Sequence, residues 1–176
     1  MRFLYTGASA FLKPQNNPSL SLGGFMSSTV LPNGRMNSLF SDGSYFGSKY
    51  GNVETKALIL ENESGVAVNN LKLGYKYTGN LDFMIEVAFV TLQAPDFQQI
   101  EKIGNVREMP YYASFIEANI EGLIDNSAAL GTMVPSGKLG VWIRRTQMRQ
   151  SSKPCSEIQS ITTDIINNVS FKLVWN

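Results

Sequence analysis

Met133-Val134-Pro135-Ser136-Gly137-Lys138-Leu139-Gly140-Val141-Trp142-Ile143-Arg144-Arg145-Thr146 is the stretch whose reading decides the fold. A Pro-Ser-Gly turn feeds a run of strand-forming residues that ends in two arginines. Counting by twos puts Leu139, Val141 and Ile143 on one face, and Gly140, Trp142 and Arg144 on the other. The first face is apolar enough to bury. The second reads as a contact face, with Gly140 leaving room for another backbone beside Trp142. An ordinary central strand whose tryptophan covers a sheet edge is the other reading.

The rest of the chain carries the same period. Phe3 to Tyr5, Phe25 to Leu31, Val53 to Asn62, Leu71 to Tyr77, Asp82 to Leu92, Phe97 to Ile103, Tyr111 to Ile120 and Val169 to Trp175 are strand candidates separated by Gly, Pro, Asn and Ser turns. Leu71, Leu73, Tyr75 and Tyr77 alternate with Lys72, Gly74 and Lys76, a pattern for one buried face. Phe83, Ile85, Val87 and Phe89 read as inward, which places Glu86 on the outer face. Tyr111 to Ile120 is apolar on both faces, as in a strand covered on both sides. Glu121 to Ser127 reads as a polar connection.

No amphipathic helix appears. Seven or eight short strands at intervals of about ten residues predict an all-β fold, an antiparallel β-sandwich, with a closed barrel as competitor. Residues 8–24 are too long and too rich in Ser, Asn, Pro and Gly for an ordinary connection. Phe3, Leu4, Tyr5, Phe11, Leu20 and Leu22 are too apolar for a free tail. The division expected is therefore an extended N-terminal arm, 1–24, and a single sandwich domain, 25–176.

Composition narrows function. The chain has 176 residues, 16% of them charged, with 15 basic and 14 acidic side chains. That balance gives no basic stripe for nucleic acid, and the cluster Arg144, Arg145, Arg149, Lys153 reads first as a solvated strand end. There is no histidine and one cysteine, which removes imidazole catalysis, internal disulfides and Cys- or His-rich metal sites. Glu61-Asn62-Glu63 and Glu117, Glu121 and Asp125 lack the spacing of a calcium loop and read as solvated turns. No pair of carboxylates is marked out for glycoside hydrolysis, and no glycine-rich phosphate loop precedes a helix. No catalytic residue, cofactor or metal is expected. No apolar run is long enough to span a membrane, and no signal peptide is legible.

Leu4-Tyr5-Thr6-Gly7-Ala8-Ser9, Asn17-Pro18-Ser19-Leu20-Ser21-Leu22-Gly23-Gly24-Phe25-Met26-Ser27-Ser28 and Asn37-Ser38-Leu39-Phe40-Ser41-Asp42 together resemble the opening of a family of tailed-bacteriophage virion proteins. In that family an arm of the form Asp/Asn-Pro-x-x-Ser-Leu-Gly-Gly precedes a β-sandwich. Ala57-Leu58-Ile59-Leu60-Glu61-Asn62 and Gly140-Val141-Trp142-Ile143-Arg144-Arg145 are similar to its core.

The resemblance implies a non-enzymatic virion building block, assembled in the host cytoplasm. It would be a multi-copy ring or connector of the neck or tail whose partners are other virion proteins. The arm would reach a neighbour, for instance by adding a strand to its sheet. The contact residues expected are Phe3, Leu4, Tyr5, Phe11, Leu20, Leu22, Tyr45, Phe46, Tyr50, Trp142, Arg144 and Arg149, with loops 42–51 and 147–159. The alternative is a capsid-decoration module or one that binds carbohydrate or a receptor, with Tyr45, Phe46 and Tyr50 as an aromatic platform.

Overall fold

The computed structural model describes residues 1–7, 13–15, 17, 20–31, 39, 53–69, 72–77, 83–92, 99–118, 121–124, 132–147 and 169–174. Ten strands lie among them: β1 (Arg2–Gly7), β2 (Gly23–Val30), β3 (Val53–Glu61), β4 (Lys72–Tyr77), β5 (Phe83–Val90), β6 (Gln99–Lys102), β7 (Ile116–Ala118), β8 (Glu121–Ile124), β9 (Lys138–Gln147) and β10 (Val169–Val174). Seven form one antiparallel sheet in the order β6-β2-β1-β3-β9-β5-β7, curled into a half-barrel. A second sheet has the order β10-β4-β8. The all-β, antiparallel class is as expected from the sequence, and no α-helix occurs among the described residues.

β9 lies inside the large sheet because its apolar run suits burial on both faces. It pairs with β3 from Val53↔Thr146 to Glu61↔Lys138, and with β5 from Phe83↔Gln147 to Val90↔Gly140. Direct cross-strand partners share a face, so one face carries Leu4, Ala57, Ile59, Ala88 and Trp142. The other carries Phe3, Tyr5, Leu58, Leu60, Val87, Phe89, Val141 and Ile143, and all thirteen are buried. Trp142 sits between Ala57 and Ala88, whose small side chains leave room for its indole, and Ile100 and Ile103 complete the cluster. Gly140 serves the same packing. A Cβ there would lie 2.6 Å from Ile100 Cγ2, 2.7 Å from Val90 Cγ2 and 3.2 Å from Val90 O, so two side chains and the β5 backbone beside it use its space.

The N-terminal residues correct the expectation of a separate arm. Phe3, Leu4 and Tyr5 are buried in β1, between β2 and β3 in the middle of the large sheet. Ser21 is tied into the same sheet: its Oγ donates to Ala57 O at 2.6 Å and accepts from Thr6 N at 2.8 Å, while its carbonyl accepts from Ala57 N. These bonds serve β3 past the point where its pairing with β1 ends. Gly23 and Gly24 then enter β2 with φ of 86° and 89°. At Gly23 a Cβ would fall 1.8 Å from Glu101 O, so the close pass of β6 demands glycine. Residues 2–7 and 23–24 thus lie in strands of the sheet, and Ser21 and Leu22 are bonded to it; residues 8–12, 16, 18 and 19 lie outside the described set.

Two further boundaries differ. Tyr111 to Phe115 is not strand, and among the described residues of that stretch Ile116–Ala118 is the part that pairs, 119 and 120 lying outside them. Glu121–Ile124, expected as a connection, is β8 and pairs with β4 from Leu73↔Ile124 to Lys76↔Glu121. Its alternation is too short to stand out between Asn119 and Asp125.

Candidate interaction surface

β6 and β7, the two edges of the seven-stranded sheet, belong to one continuous stretch, residues 99–118. The part between them forms a strap over the Trp142 face. Ile103 joins the tryptophan cluster, Ala113 and Phe115 pack against it, and Val106 O accepts from Thr55 N at 2.7 Å.

The strap is locked by its own polar groups. Glu108 Oε2 accepts from Gly104 N at 2.6 Å, Asn105 Nδ2 donates to Glu108 Oε1, and Asn105 Oδ1 accepts from Arg107 N at 2.9 Å. The Glu101 carboxylate accepts from Tyr111 N at 2.9 and 3.0 Å, and Pro110 is buried beside it. This holds the following two rings out in solvent. Tyr111 is 83% exposed and Tyr112 74%, with Met109 and Ile116 also exposed. The ring centroids are 4.8 Å apart and the planes meet at 84°. Arg107 and Lys102 are exposed at the rim. Tyrosine, methionine and arginine are the residue types enriched at protein interfaces, and a held loop loses little entropy on binding.

A polar row crosses the strap face beside Trp142. Register aligns Thr55, Arg144, Glu86 and Glu117 on β3, β9, β5 and β7. Arg144 Nη1 donates to Glu86 Oε2 at 3.1 Å. On the opposite face Arg145 Nη2 donates to Glu54 Oε2 at 2.8 Å. The two arginines are therefore half-buried and ion-paired on opposite faces, which corrects the solvated strand end. Glu86 is half-buried, not freely outward. Lys56 is buried near Glu54; burial pushes its amine below the ordinary lysine value, the charge of Glu54 works against that, and Arg145 adds to the lowering.

At the other end of β3, Glu61-Asn62-Glu63 is not a solvated turn. Glu61 is bridged by Arg2 at 2.7 Å and Lys138 at 3.1 Å. Burial pushes its carboxyl up, but the hydrogen bonds and charges of Lys138 and Arg2 outweigh that and hold it below the ordinary value. Asn62 is fully buried and staples two turns. Its Nδ2 lies 3.0 Å from the carbonyls of Val66, Met133 and Val134, and its Oδ1 accepts from Ser64 N and Oγ.

Of the contact residues expected from sequence, Phe3, Leu4, Tyr5 and Trp142 are buried in the sheet and are withdrawn as surface anchors. Side chains that already pack against their own chain present nothing to a neighbour. Leu22 is half-buried against the tryptophan cluster, and Arg144 is engaged with Glu86. Leu20 is exposed, at 55%. Phe11, Tyr45, Phe46, Tyr50 and Arg149, with loop 42–51 and residues 148–159 of the second loop, lie outside the described residues.

The Tyr111–Tyr112 pair escapes a sequence reading that takes the segment for a strand covered on both sides. Two adjacent tyrosines after Pro110, where strand alternation breaks, are the available signal. Among the described residues no group of three or more acidic, histidine or cysteine side chains is placed to hold a metal, and no helix is long and apolar enough to cross a membrane. Comparison of the chain with protein families, characterised proteins and solved structures finds no match.

Proposed function

We propose that this chain is a non-enzymatic structural protein of a tailed-bacteriophage virion, a multi-copy component of the neck or tail that holds neighbouring virion proteins through its surface loops. The observation that carries the contact part of this reading is the Tyr111–Tyr112 pair, held in solvent on a strap fixed by Glu101, Asn105 and Glu108. Exposed rings on a pre-organised loop suit a binding hot spot. The virion part draws on the sequence resemblance, and the absence of histidine from the whole chain agrees with a role outside common hydrolytic chemistry.

Within this reading the rigid body is a sandwich. The three-stranded sheet would form its second layer over the buried face that carries Phe3, Tyr5, Leu58 and Val141. Contact with neighbours passes to the strap, because Phe3 to Tyr5 is built into the core.

Peptide mass spectrometry of gradient-purified particles tests the assignment. The chain should be present at a fixed multiple of the capsid protein; its absence from purified particles contradicts it. A second reading, carbohydrate or receptor binding at a capsid or tail surface, draws on the same two tyrosines. Rings set at 84° cannot both lie beneath one flat sugar, so this reading requires a single-ring contact and would register as glycan-array binding lost in Tyr111→Ser or Tyr112→Ser.

A further inference from the structure

Among the described residues, three buried side-chain polar atoms have no hydrogen-bond partner: Thr55 Oγ1, Arg144 Nε and Thr146 Oγ1. All three fall in one place. Thr55 faces Arg144 across the β3–β9 ladder, and Thr146 follows two residues on, on the same face as Trp142. That is the face the strap crosses, and the strap's Val106 O takes the N–H of Thr55 itself.

We propose that residues 103–115 are a gate: they lift from the Trp142 face as one body, hinged at β6 and β7, and water then reaches Thr55, Arg144 and Thr146. Closure buries Ile103 and part of Phe115 but leaves three polar atoms without a hydrogen-bond partner in the protein, so it is held less firmly than its apolar contacts alone would hold it. The hinges suit the motion. β6 and β7 have four and three residues, and each is a sheet edge. The bonds among Gly104, Asn105, Arg107 and Glu108 are internal to the strap and survive opening, which lets it move as a unit. Among the described residues, the hydrogen bonds that tie it to the rest are Thr55 N to Val106 O, Ile103 N to Leu22 O and Tyr111 N to the Glu101 carboxylate on β6 itself.

Native-state amide exchange on the full chain, followed by NMR, tests the gate. The amides of Thr55 and Ile103 should exchange through one shared local opening, at least about 100-fold more often than the amide of Ala57, which Ser21 O holds from outside the strap. In the double variant Thr55→Val/Thr146→Val, two orphaned hydroxyls are gone, and exchange at positions 55 and 103 should slow by about tenfold or more. Exchange of Thr55 and Ala57 together, only through global unfolding, overturns the gate in the unaltered protein, whatever the variant does. Unchanged exchange in a folded double variant overturns the role given to the orphaned hydroxyls.

Discussion

Replacing Asn62 by aspartate changes one atom type at a fully buried side chain with five short polar contacts and should be strongly damaging. Asn62 is fully buried, with Nδ2 3.0 Å from each of three carbonyl oxygens. Its two N–H groups divide among three acceptors. In Asn62→Asp those donors vanish, and a carboxylate oxygen faces three carbonyls in their place. Two lost hydrogen bonds of about 1 kcal/mol each, with acceptors left buried at about 1–3 kcal/mol, give a loss of about 3–5 kcal/mol at neutral pH.

The pH dependence separates this from simple loss of shape. Burial and the facing carbonyls disfavour the charged carboxylate, so the folded pKa of the introduced carboxyl should lie above the unfolded value of about 3.9. The variant's deficit then grows as pH rises above that unfolded value. It shrinks at about pH 4 and below, where a protonated carboxyl can donate one bond again. Urea denaturation of both proteins at pH 7 and pH 4 measures the effect. A variant as stable as the original, or a deficit equal at both pH values, contradicts this role for the Asn62 amide.

Gly140→Ala should cost about 1–3 kcal/mol, since the added methyl meets Ile100 and Val90 below van der Waals distance; a urea midpoint unchanged from the parent contradicts it. Trp142→Ala should cost about 3–5 kcal/mol because the indole is fully enclosed, whereas a surface anchor would leave chemical stability near the parent's. Glu61→Gln should lose about 1–2 kcal/mol at pH 7. Because the carboxyl's folded pKa is lowered, the stability it adds is present above its unfolded value and fades as pH falls through the folded one, so the two proteins should converge in acid melts below about pH 4.

The strand framework is legible where periodicity and turns agree. Val53 to Asn62 and Lys138 to Thr146 mark β3 and β9 to within a residue or two, because β-branched and apolar residues run between clear turn signals. What sequence could not supply was which face had cover. Trp142, Gly140 and Arg144 read as a contact face because glycine and arginine flank the ring. In the fold the glycine admits Ile100 and Val90, the arginine meets Glu86, and the tryptophan is enclosed by Ala57, Ala88 and Ile100, all remote from it along the chain.

Non-local pairing also explains the misplaced arm. Phe3 to Tyr5 is too short to announce a central strand, and its partners on β3, Leu60 to Leu58, are remote in sequence. The tyrosine pair is hidden for the converse reason: its exposure depends on Glu101 capturing the Tyr111 amide, a contact with no sequence pattern.

Copies of the chain per purified particle, counted by peptide mass spectrometry for the parent and for Tyr111→Ser/Tyr112→Ser, test the contact surface most directly. Both rings are in solvent, so the double variant should fold with an unchanged urea midpoint. This folded variant should be incorporated at about a tenth of the parent level or less, the loss expected of two hot-spot side chains. Incorporation at the parent level would contradict it.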